Sequence, residues 1–217
     1  MCMDQKLLFL INRQWTSPAM DYIMALASSF DAWVPPLILL IGLLLWRGGF
    51  RARAFVLTAA LIVGINDGLI SRTIKHLVDR PRPHQSIAEV RQVDLAKGRP
   101  RLLALAKPLN IKYSQPADGD VQGRSFPSSH TINTFSVALV TACFYRRRGW
   151  LAFLPAMIVA WSRIYTGSHW PSDVLTSIFL GLGATLLLLC GLEWVWRKLG
   201  AQFLPAVHRE HPHLLPA

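Results

Sequence analysis

Long apolar runs separated by short charged links dominate the chain. Residues 32–46 read AWVPPLILLIGLLLW and carry no charge. Residues 54–71 read AFVLTAALIVGINDGLIS, with Asp67 their one charge, and residues 131–145, 150–162 and 174–192 are uncharged. A spanning helix needs about 20 mostly apolar residues. The last run supplies that alone, and the others reach it with their flanks. Helices of a soluble bundle keep a polar stripe, whereas these segments are apolar on every side. The pattern therefore predicts an all-α, polytopic membrane helical bundle of five to six transmembrane helices, forming a single domain over residues 1–217.

Residues 1–30 differ, mixing apolar positions with Asn12, Arg13, Gln14 and Asp21. Ser17-Pro18 has the form of a helix start, with Ser as N-cap and Pro at the first helical position. Two short amphipathic helices at the membrane interface are expected here, or one of them forms a sixth span. No cleavable signal peptide is expected, because a basic n-region and a small-residue cleavage site are missing.

Basic residues orient the bundle. Arg47, Arg51 and Arg53 follow the first span, Arg146, Arg147 and Arg148 the third, and Arg197 and Lys198 the fifth. With five spans these share one face, which the positive-inside rule makes cytoplasmic. The other face receives the link around His169 and a long loop, residues 84–124. Loops of that length are usually functional or disordered, and a short interfacial helix is expected at residues 102–109.

Composition narrows the classes further. Hydrophobic residues make up 52% and charged residues 16%, against about 25% charge in soluble domains. That excludes a disordered chain. The net charge of +11 fits nucleic acid, an anionic membrane surface or a phosphorylated substrate. Nucleic acid is disfavoured, because no recognition helix or run of interleaved aromatics is visible. Cys2, Cys143 and Cys190 form no CxxC pair, so neither a disulfide framework nor a zinc site is expected.

Three polar clusters lie beside apolar spans, all on the non-cytoplasmic side. They are Lys75 to Arg82-Pro83, then Pro127-Ser128-Ser129-His130, then Ser162-Arg163 to His169 and Asp173. Singly, each has a structural explanation: snorkelling cations, an N-capping Ser, an i,i+4 pair between His169 and Asp173. Together they place two His, three cations and a carboxylate at one end of a bundle. That set suits one anion. Lys75, Arg82 and Arg163 supply charge for a phosphate, the arginines with a two-pronged fork. Ser128 and Ser129 open a helix whose N–H groups favour phosphate. His169 is the candidate nucleophile, with Asp173 accepting its other ring proton, and His130 the candidate general acid. On chemistry alone the two His roles are interchangeable; the carboxylate at helical spacing favours His169. Three adjacent cations oppose a divalent ion, so no metal site and no cofactor are expected.

The three clusters resemble the signature of the phosphatidic acid phosphatase type 2/haloperoxidase superfamily, K-x6-R-P, P-S-G-H and S-R-x5-H-x3-D, in the same order. Lys75, Arg82, Ser128, His130, Arg163, His169 and Asp173 match it, while Ser129 stands where the family usually has Gly. The resemblance implies a helical bundle, a phosphohistidine intermediate at His169, proton donation by His130 and metal-independent hydrolysis. It also implies a lipid phosphate or diphosphate substrate, of the undecaprenyl diphosphate, phosphatidylglycerol phosphate, phosphatidate or lipid A type. The expected protein is a lipid-phosphate phosphatase of a bacterial inner membrane, its site facing the periplasm or exterior. Its expected partners are the lipid substrate and membrane lipids. The alternatives are a vanadate-dependent haloperoxidase-like enzyme and a non-catalytic anionic-lipid-binding membrane protein. Oligomeric state is not legible.

Overall fold

A computed structural model describes residues 2–96, 107–116 and 123–216. Helix α1 (Met3–Phe9) runs into a π-helical turn, Leu10–Gln14, and α2 spans Pro18–Ser28. The Ser17 side chain accepts the Met20 N–H and Pro18 opens α2, as the sequence predicts. Helix α3 spans Phe30–Arg47; α4 (Phe50–Ile65) continues through a π-helical segment, Asn66–Ser71, into α5 (Arg72–Val78). Short α6 (Pro83–Ser86) leads to strands β1 (Arg91–Asp94) and β2 (Asn110–Tyr113). Helices α7 (Ser129–Gly149), α8 (Phe153–Tyr165), α9 (Pro171–Phe203) and α10 (Pro205–Glu210) complete the chain.

The protein is an all-helical membrane bundle carrying one small antiparallel ladder, β1 with β2. Among the described residues, three helical stretches are long and apolar enough to cross a membrane: Phe30–Arg47, Phe50–Ser86 and Pro171–Phe203. Only 6% of the apolar window of α3 is buried within the protein, so its Leu and Ile side chains need lipid around them. Exposed Trp46, Trp150 and Trp194 lie towards the Arg-rich end, where indole rings sit at the headgroup level. Helix α7 packs against α4, α8 and α9. Gly181 of α9 allows a close approach, since a Cβ there would lie 3.1 Å from the Ile132 backbone.

Neither N-terminal helix has the length of a span. Both fold onto the end of the bundle that carries the polar clusters. Asn12, fully buried, donates to the carbonyls of Arg91 (2.7 Å) and Tyr165 (2.6 Å) and accepts the Arg91 N–H at 2.8 Å. Asp21 pairs with Arg91 and accepts the Tyr165 hydroxyl at 2.6 Å. These bonds clamp β1 between the N-terminal helices and α8, with Val90, Val93 and Leu95 in the same core. Asn12→Ala strands one buried N–H and leaves two carbonyls short of a donor. It is expected to destabilise the fold by about 2–3 kcal/mol, read as a lowered thermal midpoint in detergent.

The loop over residues 84–124 thus holds α6 and two strands, which the sequence reading lacks. Four-residue strands are too short to display an alternating pattern. The helix expected at residues 102–109 falls largely outside the described residues; within its end, 107–109, the chain is not helical.

Candidate active site

The three clusters converge at one end of the bundle. Lys75, on α5, donates from Nζ to Ser129 Oγ at 2.7 Å, joining the first cluster to the start of α7. The hydroxyl that replaces the family's glycine hydrogen therefore meets the lysine. Ser128 precedes α7 and is fully buried; its N–H donates to Ser177 Oγ of α9 at 2.9 Å, and its hydroxyl accepts from Thr131 at 3.0 Å. Its backbone N–H thus ties the start of α7 to α9, while its side chain bonds within the first turn of α7.

Arg163 lies near the C-terminal end of α8 and is 8% exposed. Nη1 donates to the Ser28 carbonyl (3.3 Å) and to its hydroxyl, while buried Nε has no partner among the described residues. Arg82, Arg163 and His130 line a cavity of about 520 Å³, together with His84, Asp31 and Gln92. Two guanidinium groups line this cavity, and the buried Nε of one is a donor to which an anion can bond.

His169 sits in the turn between α8 and α9, 3% exposed. Gly167 makes this turn possible at φ +68°, where an added Cβ would come within 2.5 Å of Val90 Cγ1. The Arg163 carbonyl accepts the N–H groups of Ser168 and His169, both at 3.1 Å. His169 Nδ1 lies 2.6 Å from the Ser125 carbonyl oxygen. A carbonyl only accepts, so Nδ1 carries the proton and Nε2 presents its lone pair. Burial holds the imidazole well below the ordinary histidine value of 6.5, and the positive charges of Arg163 and Arg82 act in the same direction. A lowered value keeps the ring neutral to lower pH. A histidine NMR titration is expected to find His169 unprotonated at pH 6.5, and a midpoint at or above that value would contradict this environment.

One expectation needs correction. Asp173 does not take the His169 ring proton. Its carboxylate accepts from Arg80 Nη1 (2.5 Å), Ser125 Oγ (2.5 Å) and the Trp170 N–H (3.3 Å). Helix α9 begins only at Pro171, so His169 lies outside it and the i,i+4 relation does not apply. Asp173 instead caps the first turn of α9. Its link to His169 runs through Ser125, whose hydroxyl meets Asp173 and whose carbonyl meets His169. Ser125, Arg80 and Ser28 are the residues that sequence reasoning misses. Arg80 lies inside the first cluster, in Arg80-Pro81-Arg82-Pro83, and Ser125 lies two residues before the second; Ser28 carries no local signal.

A neutral, oriented imidazole thus lies within the field of Arg163, Arg82 and Lys75 at one end of a membrane-spanning helical bundle, an arrangement chemically suited to an anion. The chain belongs to the PAP2 superfamily, whose family model matches residues 52–197. It is 27% identical over 163 residues to YbjG of Escherichia coli strain K12, covering 74% of this chain and 67% of that protein. It is 28% identical over 172 residues to lipid A 4'-phosphatase of Bacteroides thetaiotaomicron, covering 76% and 66%. The chain thus spans about two thirds of the length of these relatives. The crystal structure of Aquifex aeolicus LpxE has the same fold, with a TM-score of 0.59, 22% identity, and coverage of 87% of this chain and 96% of that one.

Proposed function

We propose that this integral membrane protein is a lipid-phosphate phosphatase that hydrolyses a phosphomonoester or diphosphate through a phosphohistidine on His169. The observation that carries the reading is the His169 ring, with Nδ1–H bonded to the Ser125 carbonyl and Nε2 left as the nucleophile beside Arg82, Arg163 and Lys75. In the first step Nε2 attacks phosphorus, a P–N bond forms, and the P–O bond to the lipid breaks. His130, protonated against the negative charge of the bound phosphate, gives that proton to the departing oxygen. In the second step water attacks phosphorus, His130 takes a proton from it, the P–N bond breaks, and inorganic phosphate leaves. Arg82, Arg163 and Lys75 offset the charge on the equatorial oxygens throughout.

The relatives' names extend the reading to substrates: a lipid A 4'-phosphatase and, over a shorter stretch, an undecaprenyl-diphosphatase of Bacillus subtilis, 33% identical over 58 residues. A bacterial inner membrane, with the site on the periplasmic face, fits such substrates and the arginine distribution. The test is phosphate release in detergent, with a chelator present, from undecaprenyl diphosphate, a lipid A phosphate and phosphatidate. Release from at least one is expected; none from any would overturn the reading.

A further inference from the structure

Beyond the residues proposed to bind phosphate lies a second, continuous set of polar contacts that reaches His169 through Ser125. It starts on the N-terminal helix. Asp4 of α1 accepts the Ser172 N–H (2.9 Å), the Ser172 hydroxyl (2.6 Å) and Arg80 Nη2 (2.8 Å). Arg80 in turn donates from Nη1 to Ser172 Oγ (2.9 Å) and to Asp173 (2.5 Å). Its guanidinium lies over the Trp170 ring, 5.4 Å from the centroid, and that ring is itself fixed by a bond from Nε1 to the Pro81 carbonyl at 2.9 Å. Arg80 grips Ser125 twice: its own carbonyl accepts the Ser125 N–H at 2.8 Å, and through Asp173 it holds the Ser125 hydroxyl. Ser125 then accepts the His169 Nδ1 proton.

We propose that Asp4 and Arg80 are positioning residues for the reaction, and that the N-terminal helix is thereby a working part of the active site. The planar guanidinium bridges two carboxylates from different parts of the chain, Asp4 and Asp173, a task a point charge does not perform. Arg80 bonds Asp173 and Ser125, Asp4 bonds Arg80, and Ser125 alone of these meets the ring, so their effect on turnover passes through the Ser125 carbonyl and the His169 tautomer.

Kinetic and tautomer readouts separate this role from simple stabilisation. The Arg80 side chain is 36% exposed but its partner Asp173 is fully buried, so losing Arg80 also lowers stability, whereas the pair with Asp4 is part-exposed and contributes little. A nucleophile displaced by about 1 Å, in contrast, costs on the order of 100-fold in rate. Arg80→Gln is therefore expected to lower kcat by about 100-fold and Asp4→Asn by about 10-fold, each with KM within about threefold, Asp4→Asn with a thermal midpoint near the parent's and Arg80→Gln with a lowered one that still leaves the protein folded at assay temperature. The double variant should be no slower than Arg80→Gln alone, since both act through one chain. Arg13→Gln, which breaks the exposed pair with Glu89 on the same segment, should leave kcat unchanged.

This proposal rests on His169 acting as the phosphatase nucleophile, and a second readout keeps the two apart. Nitrogen NMR of histidine-labelled protein distinguishes the ring tautomers without turnover. A single Nδ1–H form of His169 in the parent and a mixture in Arg80→Gln support the brace, even if no lipid phosphate is cleaved, in which case the functional reading alone falls. Parental kcat in both single variants, additive losses in the double, or an unchanged tautomer in Arg80→Gln would overturn it.

Discussion

His169→Ala is expected to lower phosphate release by about 10⁴-fold or more, as removing a nucleophile does where the rest of the site survives. The ring makes one structural bond, from Nδ1 to the Ser125 carbonyl, so the fold and the cations remain. Phosphate or vanadate should still bind the variant within about tenfold of the parent, because Lys75, Arg82 and Arg163 are untouched. A variant that retained more than about 1% of the parent's kcat would show that another group, or water directly, attacks phosphorus.

Arg163→Lys follows in size, with an expected loss in kcat of about 10²–10³-fold. The parent guanidinium already spends Nη1 on Ser28, and its buried Nε has no partner among the described residues. An ammonium presents its donors from one atom and cannot reach both places. It also sits in a buried position, where losing a matched hydrogen bond is costly. The loss should appear mainly in kcat, since charge on the equatorial oxygens grows in the transition state. Steady-state kinetics on a lipid phosphate from which the parent releases phosphate would decide it. A variant within threefold of the parent would remove Arg163 from transition-state stabilisation.

How much of this was legible in the chain depends on distance and on length. The bundle is visible in the uncharged runs, because hydrophobicity over a whole helix is a strong signal. Lys75, Arg82, His130, Arg163 and His169 stand out because each motif lies at a span end, and alternate span ends meet. The His169–Asp173 pairing failed for a local reason. Helical spacing does not carry across a helix boundary, and the positive φ of Gly167 turns the chain before α9 begins. The carboxylate is claimed by the Trp170 N–H, Ser125 and Arg80 instead. Asp4 was out of reach altogether: it meets Ser172 across 168 positions of sequence, and no spacing rule connects residues so far apart. The β1–β2 ladder was missed because its burial, with Val93 inside and Tyr113 exposed, depends on the N-terminal helices that cover it.

The most direct measurement is to trap the covalent enzyme. Purified protein would be mixed with a lipid phosphate carrying radiolabelled phosphorus, quenched in alkali, where a phosphohistidine survives, and digested. The label is expected on the peptide containing His169, discharged by acid and absent from His169→Ala. Turnover of the same substrate without any label on the protein, or a label carried by a different residue, would contradict His169 as the group that takes the phosphoryl.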